Sequence, residues 1–457
     1  MTSEKKPNIV LITFDCTRAD RMGIAGYKKN ITPFLDSLAK KGAYFKRAYS
    51  TGPGSPHSFV AILTSTLPFD YGGFGYIDRP RMLVSETLKS AGYTTIGVHS
   101  AAYMSAYFGY DRGWDQLVYL SNFKDGDVIP GIRRDTWQAR LLKKLNAAHK
   151  FVKRKSPWID KWVFFVIERA AFICRKIFVD IFRFRPAFII AEEINQKVKE
   201  ILPRAPRAPR EPLFLWVHYM DPHAPYTLFR KIKGTFIQKI RYFLCDILPY
   251  FVGQGSWATR LFKSFFINTY DISIQYTDQN IKNLFEYLNS IEVINDDSLV
   301  ILCSDHGEEF FEHGNVGHLA TLYNVNLNVP LIFYGSKHLS FNGIIDRPVS
   351  LMDISPTILD VAGVEKPKVF KGQNIFNTEP RPIIGQVPDT EDDLSNQTFR
   401  GVSLIYDGYK FIKMIDQKML FSLDDANEQN NLYDKKPELA RRMEELIKPY
   451  EFIHPAN

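Results

Sequence analysis

Cysteine is scarce and scattered: Cys16, Cys174, Cys245 and Cys303 are the only four in 457 residues, and no two have paired spacing. Zinc knuckles and disulfide frameworks both need such pairs, so neither organises this chain, and a reducing compartment suits it. Long uncharged apolar runs are missing as well. In the stretch Trp162 to Ile190, the charges of Glu168, Arg169, Arg175, Lys176, Asp180, Arg183 and Arg185 recur every few residues. No run there approaches the roughly 18–20 residues that a membrane span requires. The first apolar run starts at Ile9 and meets an acid at Asp15, too short for a signal-peptide core, so a cytoplasmic protein is expected. Fibrous repeats and wholesale disorder are excluded by 45% hydrophobic and 24% charged residues with ordinary glycine and proline.

Basic charge is present but unevenly placed. The net charge is +8, yet residues 133–185 alone hold fifteen Lys/Arg against four Asp/Glu, leaving a slight acid excess elsewhere. Phe165, Phe172 and Val179 recur there at seven-residue intervals, which predicts an amphipathic helix with a basic face. Such a helix either lies on an anionic membrane as a peripheral contact or forms a lid with a solvated face. No nucleic-acid-binding module accompanies the charge, so no nucleic-acid partner is expected.

Short apolar runs alternate with segments of helical period, the pattern of an α/β fold around a mostly parallel sheet flanked by helices. The runs are Asn8 to Phe14, Thr94 to Val98, Leu213 to Val217, Leu299 to Cys303 and Pro330 to Tyr334. Between the first two, Thr32 offers an N-cap before Pro33, and Gly42 stops the helix. A catalytic domain over 1–377 is expected, interrupted by basic aromatic insertions at about 124–212 and about 228–266. The first insertion closes on the stiff, proline-spaced connector Pro203 to Pro212. A small α+β subdomain is expected over 378–457, with alternating strands and a final helix near Pro437 to Ile447.

Ligand crevices of open α/β sheets lie at the carboxyl ends of the strands, so the residues just after each apolar run matter most. Asp15 follows the first run, and Asp305 and His306 follow the fourth, in the segment Ser304-Asp305-His306-Gly307-Glu308. An adjacent Asp and His can share one divalent ion, and a second strand-end acid 290 positions upstream makes sense if the site is shared. Ser55 lies in the glycine-proline turn Gly52-Pro53-Gly54-Ser55-Pro56, ahead of the apolar stretch Phe59 to Leu63. There it either caps a helix or, near a helix N-terminus, serves as a nucleophile. His223 stands between Pro222 and Pro225 after the third run, a rigid placement for a donor to a substrate oxygen or leaving group.

In order and spacing these segments resemble the sulfatase family, the sulfatase-like branch of the alkaline phosphatase superfamily. PNIVLITFDCTRAD is similar to its opening metal-binding strand, and SPHSFVAILTS stands in the place of its nucleophile segment, with Ser55 at the nucleophile position and Thr64 at the closing threonine. HYMDPHAPY, SDHGEEFFEHG, HLATLYNVNLNVPL, LMDISPTILDVAG and FSLDDANEQNNL follow in the family's order, so the likeness runs from about Pro7 to Tyr450.

The resemblance implies one divalent metal held by Asp15, Asp305, His306 and Ser55 Oγ, with His223 and His318 contacting the anionic group of the substrate. Many sulfatases carry paired acids where this chain has Asp15-Cys16, so the donor set suits manganese or zinc better than calcium or magnesium. The family's formylglycine modification needs Pro or Ala two residues after the nucleophile and Arg four after it. His57 and Phe59 stand there instead, so Ser55 is expected to remain serine and to attack phosphorus. The leading expectation is a metal-dependent hydrolase or transferase that cleaves a phosphate ester or diester through a seryl intermediate. A true sulfatase acting on a sulfated glycan or aryl sulfate is the alternative, and a non-catalytic polyanion- or membrane-binding member comes third. The substrate is expected to be an anionic ester, lipid-linked or glycan; the oligomeric state is left open.

Overall fold

The computed structural model describes residues 6–121, 189–204, 211–224, 257–318, 321–388 and 399–451, less a few single positions, and the backbone of 127–129 and 132–133. The amphipathic helix expected up to Ile190, most of the Pro203 to Pro212 connector and most of the second basic stretch lie outside the described residues. Among the described residues, no helix is long and apolar enough to cross a membrane.

Each expected apolar run is a strand of one eight-stranded sheet. In chain order the eight strands, five of them the expected runs, are β1 (Ile9–Phe14), β2 (Ala43–Phe45), β3 (Thr94–His99), β4 (Gln116–Tyr119), β5 (Leu213–Tyr219), β6 (Leu299–Ser304), β7 (Leu331–Tyr334) and β8 (Gly343–Ile345). Their spatial order is β8-β2-β7-β6-β1-β5-β3-β4. From β6 to β4 all pairings are parallel, whereas β7 runs antiparallel to both β6 and β2. Periodicity cannot tell the two directions apart, because a strand buried on both faces reads as continuous apolar sequence either way.

Alternate residues of the strands enter two cores. Ile9, Leu11, Phe214, Trp216, Leu299 and Ile301 pack on one face against α2 (Ser55–Thr64) through Phe59, Ile62 and Leu63. Val10, Ile12, Leu215, Val217, Val300 and Leu302 pack on the other face. That face is covered by α1 (Pro33–Lys41), α3 (Ala191–Ile201) and α4 (Trp257–Ser290). Each such fully buried side chain contributes about 1.5–3 kcal/mol, and both layers anchor the strand ends that carry the polar residues.

Helix α1 starts where expected, with Pro33 in its first turn, but Thr32 makes no side-chain cap. Its hydroxyl donates to Asp36 instead. The cap comes from across the fold: Asp278 of α4 accepts hydrogen bonds from the amides of Phe34 and Leu35 at 3.1 and 2.8 Å. The 34 residues of α4 begin inside the second basic stretch, where mixed aromatic and charged residues conceal the helical period.

The polar C-terminal region forms an antiparallel sheet of β9 (Ile383–Pro388), β10 (Phe399–Tyr406), β11 (Tyr409–Met414) and β12 (Lys418–Ser422). Its apolar face is covered by α5 (Pro437–Ile447), through Ala440, Met443 and Ile447.

Candidate active site

Register sets the site. Phe14 pairs with both Tyr219 and Ser304, so β1, β5 and β6 end at one level, and Asp15 and Asp305 emerge side by side. The Asp15 amide donates to Tyr219 O at 2.9 Å. Asp305 Oδ1 accepts from the amides of Cys16 and His306 at 3.2 and 2.9 Å. Cys16 itself has φ 54, an uncommon left-handed conformation for a non-glycine residue. It is held at both ends, because the Tyr270 hydroxyl of α4 donates to its carbonyl at 2.5 Å.

Ser55 is the first residue of α2 rather than its cap; Gly54 occupies the cap position with extended backbone. The serine Oγ lies 3.4 Å from Asp15 Oδ2 and 3.3 Å from His306 Nε2. Ser58, one turn on, donates to Asp305 O at 2.6 Å and ties the helix to the acid. Ser55 therefore meets Asp15 and His306 at the positive end of a ten-residue helix, where developing negative charge on Oγ is favoured.

His306 Nε2 stands 3.2 Å from Asp15 Oδ1 and 3.6 Å from Asp305 Oδ2. All three residues are fully buried. Burial opposes the imidazolium, yet Asp305 and Asp15 raise His306 to about 10. Burial and the charge of Asp15 push Asp305 up to about 6. Burial would raise Asp15 too, but the imidazoles of His223, His306 and His218 hold it well below the usual carboxylate range. Both carboxylates thus favour the charged form of His306, which lies between them.

A divalent cation fits this donor set. Asp15 Oδ1 and Asp305 Oδ2 are buried with no hydrogen-bond partner among the described residues, and both face His306 Nε2. Buried carboxylate oxygens in that state are costly unless paired or ligating. Asp15, His218 and Asp305 also bring one ligand atom each within 4.8 Å of one another.

His318 and His223 lie next to this cluster. The His318 ring centroid is 4.4 Å from that of His306 and 5.2 Å from that of His223. His318 Nδ1 meets Glu308 Oε1 at 3.1 Å, and His223 Nδ1 meets Ala224 O at 2.5 Å. Cys16 Sγ is 3.7 Å from His318 Nδ1 and 3.8 Å from His306 Nδ1. Burial and then the neighbouring acids Asp15, Glu308 and Asp305 push this thiol well above its usual range.

All six expected residues, Asp15, Ser55, His223, Asp305, His306 and His318, thus gather in one cluster beyond the strand ends. Several contributors were not foreseen. His218, within β5, bonds Thr13 Oγ1 through Nδ1 at 2.9 Å and places Nε2 4.0 Å from Asp15 Oδ2. Burial drives its imidazole down to about 4 against the opposing charge of Asp15. Two polar residues, Thr13 and His218, at matching register inside apolar strands were the available signal. Arg18 binds Asp20, Glu312 and Glu308 O, fixing the loop that holds Glu308. Nothing local distinguishes Arg18 from a surface arginine.

A parallel sheet whose strand ends gather two acids, a histidine and a helix-borne serine is the layout of a sulfuric or phosphoric ester hydrolase. The chain belongs to the sulfatase family, whose sequence profile matches residues 7–364. It is 23% identical to the uncharacterised sulfatase YidJ of Escherichia coli K12, over 94% of this chain and 84% of that protein. Among solved structures it is similar to a protein in complex with its substrate D-glucosamine-2-N,6-O-disulfate, with a TM-score of 0.67, 16% identity and 98% of both chains covered. It is also similar to a phosphonate monoester hydrolase of Agrobacterium radiobacter, with a TM-score of 0.65 and 17% identity over 97% and 95% of the two chains.

Proposed function

We propose that this sulfatase-family hydrolase cleaves a phosphate ester or diester, with unmodified Ser55 as the nucleophile. The observation that carries the reading is the environment of Ser55: its Oγ sits at the N-terminus of α2 between Asp15 and His306, while His57 and Phe59 occupy the positions where formylglycine formation needs Pro or Ala and Arg. Manganese or zinc, held by Asp15, Asp305, His306 and Ser55 Oγ, suits these donors. When bound, the ion neutralises nonbridging oxygens and lowers the pKa of the serine hydroxyl.

The chain's own groups supply the rest. Asp305 is oriented by two backbone amides, and Ser58 locks α2 to it, so the nucleophile and the acids keep a fixed relation. Ser55 Oγ loses its proton and bonds to phosphorus as the bond to the leaving oxygen breaks; that oxygen takes up a proton and departs as an alcohol, giving a seryl phosphate ester. Water then attacks phosphorus and releases Ser55 with its proton restored. His223 and His318 border the place of the anionic group.

The second reading, a sulfuric ester hydrolase, draws support from the sulfated sugar bound by one structural neighbour. Metal-dependent hydrolysis of an aryl phosphodiester and an aryl sulfate, measured side by side with Ser55→Ala as control, separates the two. Ser55-dependent turnover of the diester is expected; turnover of the sulfate alone would overturn the proposal.

A further inference from the structure

The turn that carries Asp15 is held in an unfavourable shape by a side chain from a distant helix. Cys16, the next residue, has φ 54, and left-handed backbone at a non-glycine residue persists only where its surroundings over-determine it. Three neighbours do so here. Asp305 Oδ1 accepts from the Cys16 amide at 3.2 Å, and Ser304 Oγ accepts from the Thr17 amide at 2.7 Å. Tyr270 of α4 spans the turn: its hydroxyl accepts from the Arg18 amide at 3.0 Å and donates to the Cys16 carbonyl at 2.5 Å. An amide can only donate and a carbonyl can only accept, so both roles of the hydroxyl are fixed.

Tyr270 is itself rigidly placed. It is fully buried, its ring centroid lies 5.0 Å from that of Phe310, and it packs among Ile31, Phe266 and Ile274. The next residue, Asp271, accepts from the Tyr27 hydroxyl and from Lys29 Nζ, each at 2.7 Å, which pins this turn of α4 to the loop ahead of α1. Through Arg18 the clamp reaches the second acidic loop. The Arg18 guanidinium donates to Glu308 O at 3.0 Å and to Glu312 Oε1 at 2.7 Å. One hydroxyl therefore joins the loop of Asp15 to the loop of Asp305 and His306.

We infer that Tyr270 is a positioning residue: its hydroxyl holds the Cys16 turn in its left-handed form and so sets Asp15 and Asp305 in the mutual placement that a divalent ion and Ser55 need, before any ion binds. It acts through the backbone. Without the hydroxyl, the Arg18 amide and the Cys16 carbonyl lose that partner, and Cys16 is freer to relax to negative φ. Such a relaxation turns the Cys16 amide away from Asp305 Oδ1 and moves the peptide that follows Asp15, so both acids are affected together. The inference rests on the metal-dependent reading above but not on the choice between phosphorus and sulfur.

The test is calorimetric titration of the chelator-stripped full chain with manganese(II), together with steady-state hydrolysis of whichever aryl ester the protein turns over. Tyr270→Phe keeps the ring against Phe310 and removes only the hydroxyl. It should weaken manganese binding by about 10–100-fold, and lower kcat at saturating manganese with KM little changed. Asp278→Ala is the control, because it loosens the same helix from α1 about two turns further along and spares the clamp. It should leave affinity and kcat unchanged. Tyr270→Phe with the parent's affinity and kcat would overturn the inference, and so would an equal loss in Asp278→Ala. Hydrogen exchange of the unsubstituted, stripped protein decides the matter even if Tyr270→Phe does not fold. The amides of residues 16–18 should exchange slowly without metal; fast exchange that only metal suppresses would mean that the ion, not Tyr270, shapes the turn. If the unsubstituted protein binds no manganese, the metal-dependent reading fails and takes this inference with it; if it binds and Tyr270→Phe changes nothing, this inference alone fails.

Discussion

Two regions of this molecule bury charge, and they do so in opposite ways. Beneath the C-terminal sheet, Lys410 of β11 and Glu428 are each about 1% exposed and meet at 2.8 Å. Lys410 also donates to Asn324 Oδ1, and the Asn324 amide donates to Glu428 Oε2, so the pair is matched in charge and supported by further bonds. At the strand ends, two acids, Asp15 and Asp305, share one imidazolium. The matched pair joins the subdomain to the turn at Asn324. The mismatched cluster carries negative charge that a cation would offset, at a cost borne by the two well-packed cores.

If that contrast is right, removing a group from the crevice should damage function far more than stability. Ser55→Ala is expected to lower diester turnover by about 10³-fold or more, measured as kcat/KM. Its melting temperature should hardly move, because the Oγ contacts to Asp15 and His306 are long, at 3.4 and 3.3 Å. The reverse holds for the matched pair. Lys410→Met strands a buried carboxylate and should cost about 3–5 kcal/mol in denaturant unfolding, with metal content unchanged. The double substitution Lys410→Met with Glu428→Leu should recover most of that loss.

A pH series sharpens the comparison without mutation. In the metal-stripped protein, His306 is raised in the fold to about 10, so its contribution is fully present below its unfolded value near 6.5 and is lost as pH rises towards 10. Asp305, raised to about 6, acts in the same direction: ionising it in the fold is penalised, and stability falls as pH rises from about 4 through 6. The stripped protein should therefore lose melting temperature from near neutral pH upwards, and the metal-loaded protein should lose much less. The smallest effect belongs to Asp278→Ala, which uncaps α1 far from either region and should cost about 1 kcal/mol with kcat unchanged.

The sequence reveals this fold where burial is complete. Strands β1, β3, β5 and β6 are continuous apolar runs ended by polar residues, and those endings mark Asp15, Asp305 and His306 directly. Ser55 is visible through its glycine-proline turn, although its place as first helical residue rather than cap is not. Less visible are features made by distant partners. Asp278 caps α1 from 243 residues away, Arg18 meets Glu312 on another loop, and His218 matters only because β5 lies beside β1. Cys16 reads as a lost acid in the sequence. Its nearness to His223 and His318 follows from three strand ends meeting, which no local pattern encodes.

Peptide mass spectrometry of residue 55 shows whether an unmodified serine attacks phosphorus. Protein from its native host should give the peptide containing Ser55 at the mass of plain serine. After acid quenching of a reaction with an aryl phosphodiester, the same peptide should carry the added phosphoryl ester. An aldehyde at position 55, or an adduct on any residue other than Ser55, would contradict it.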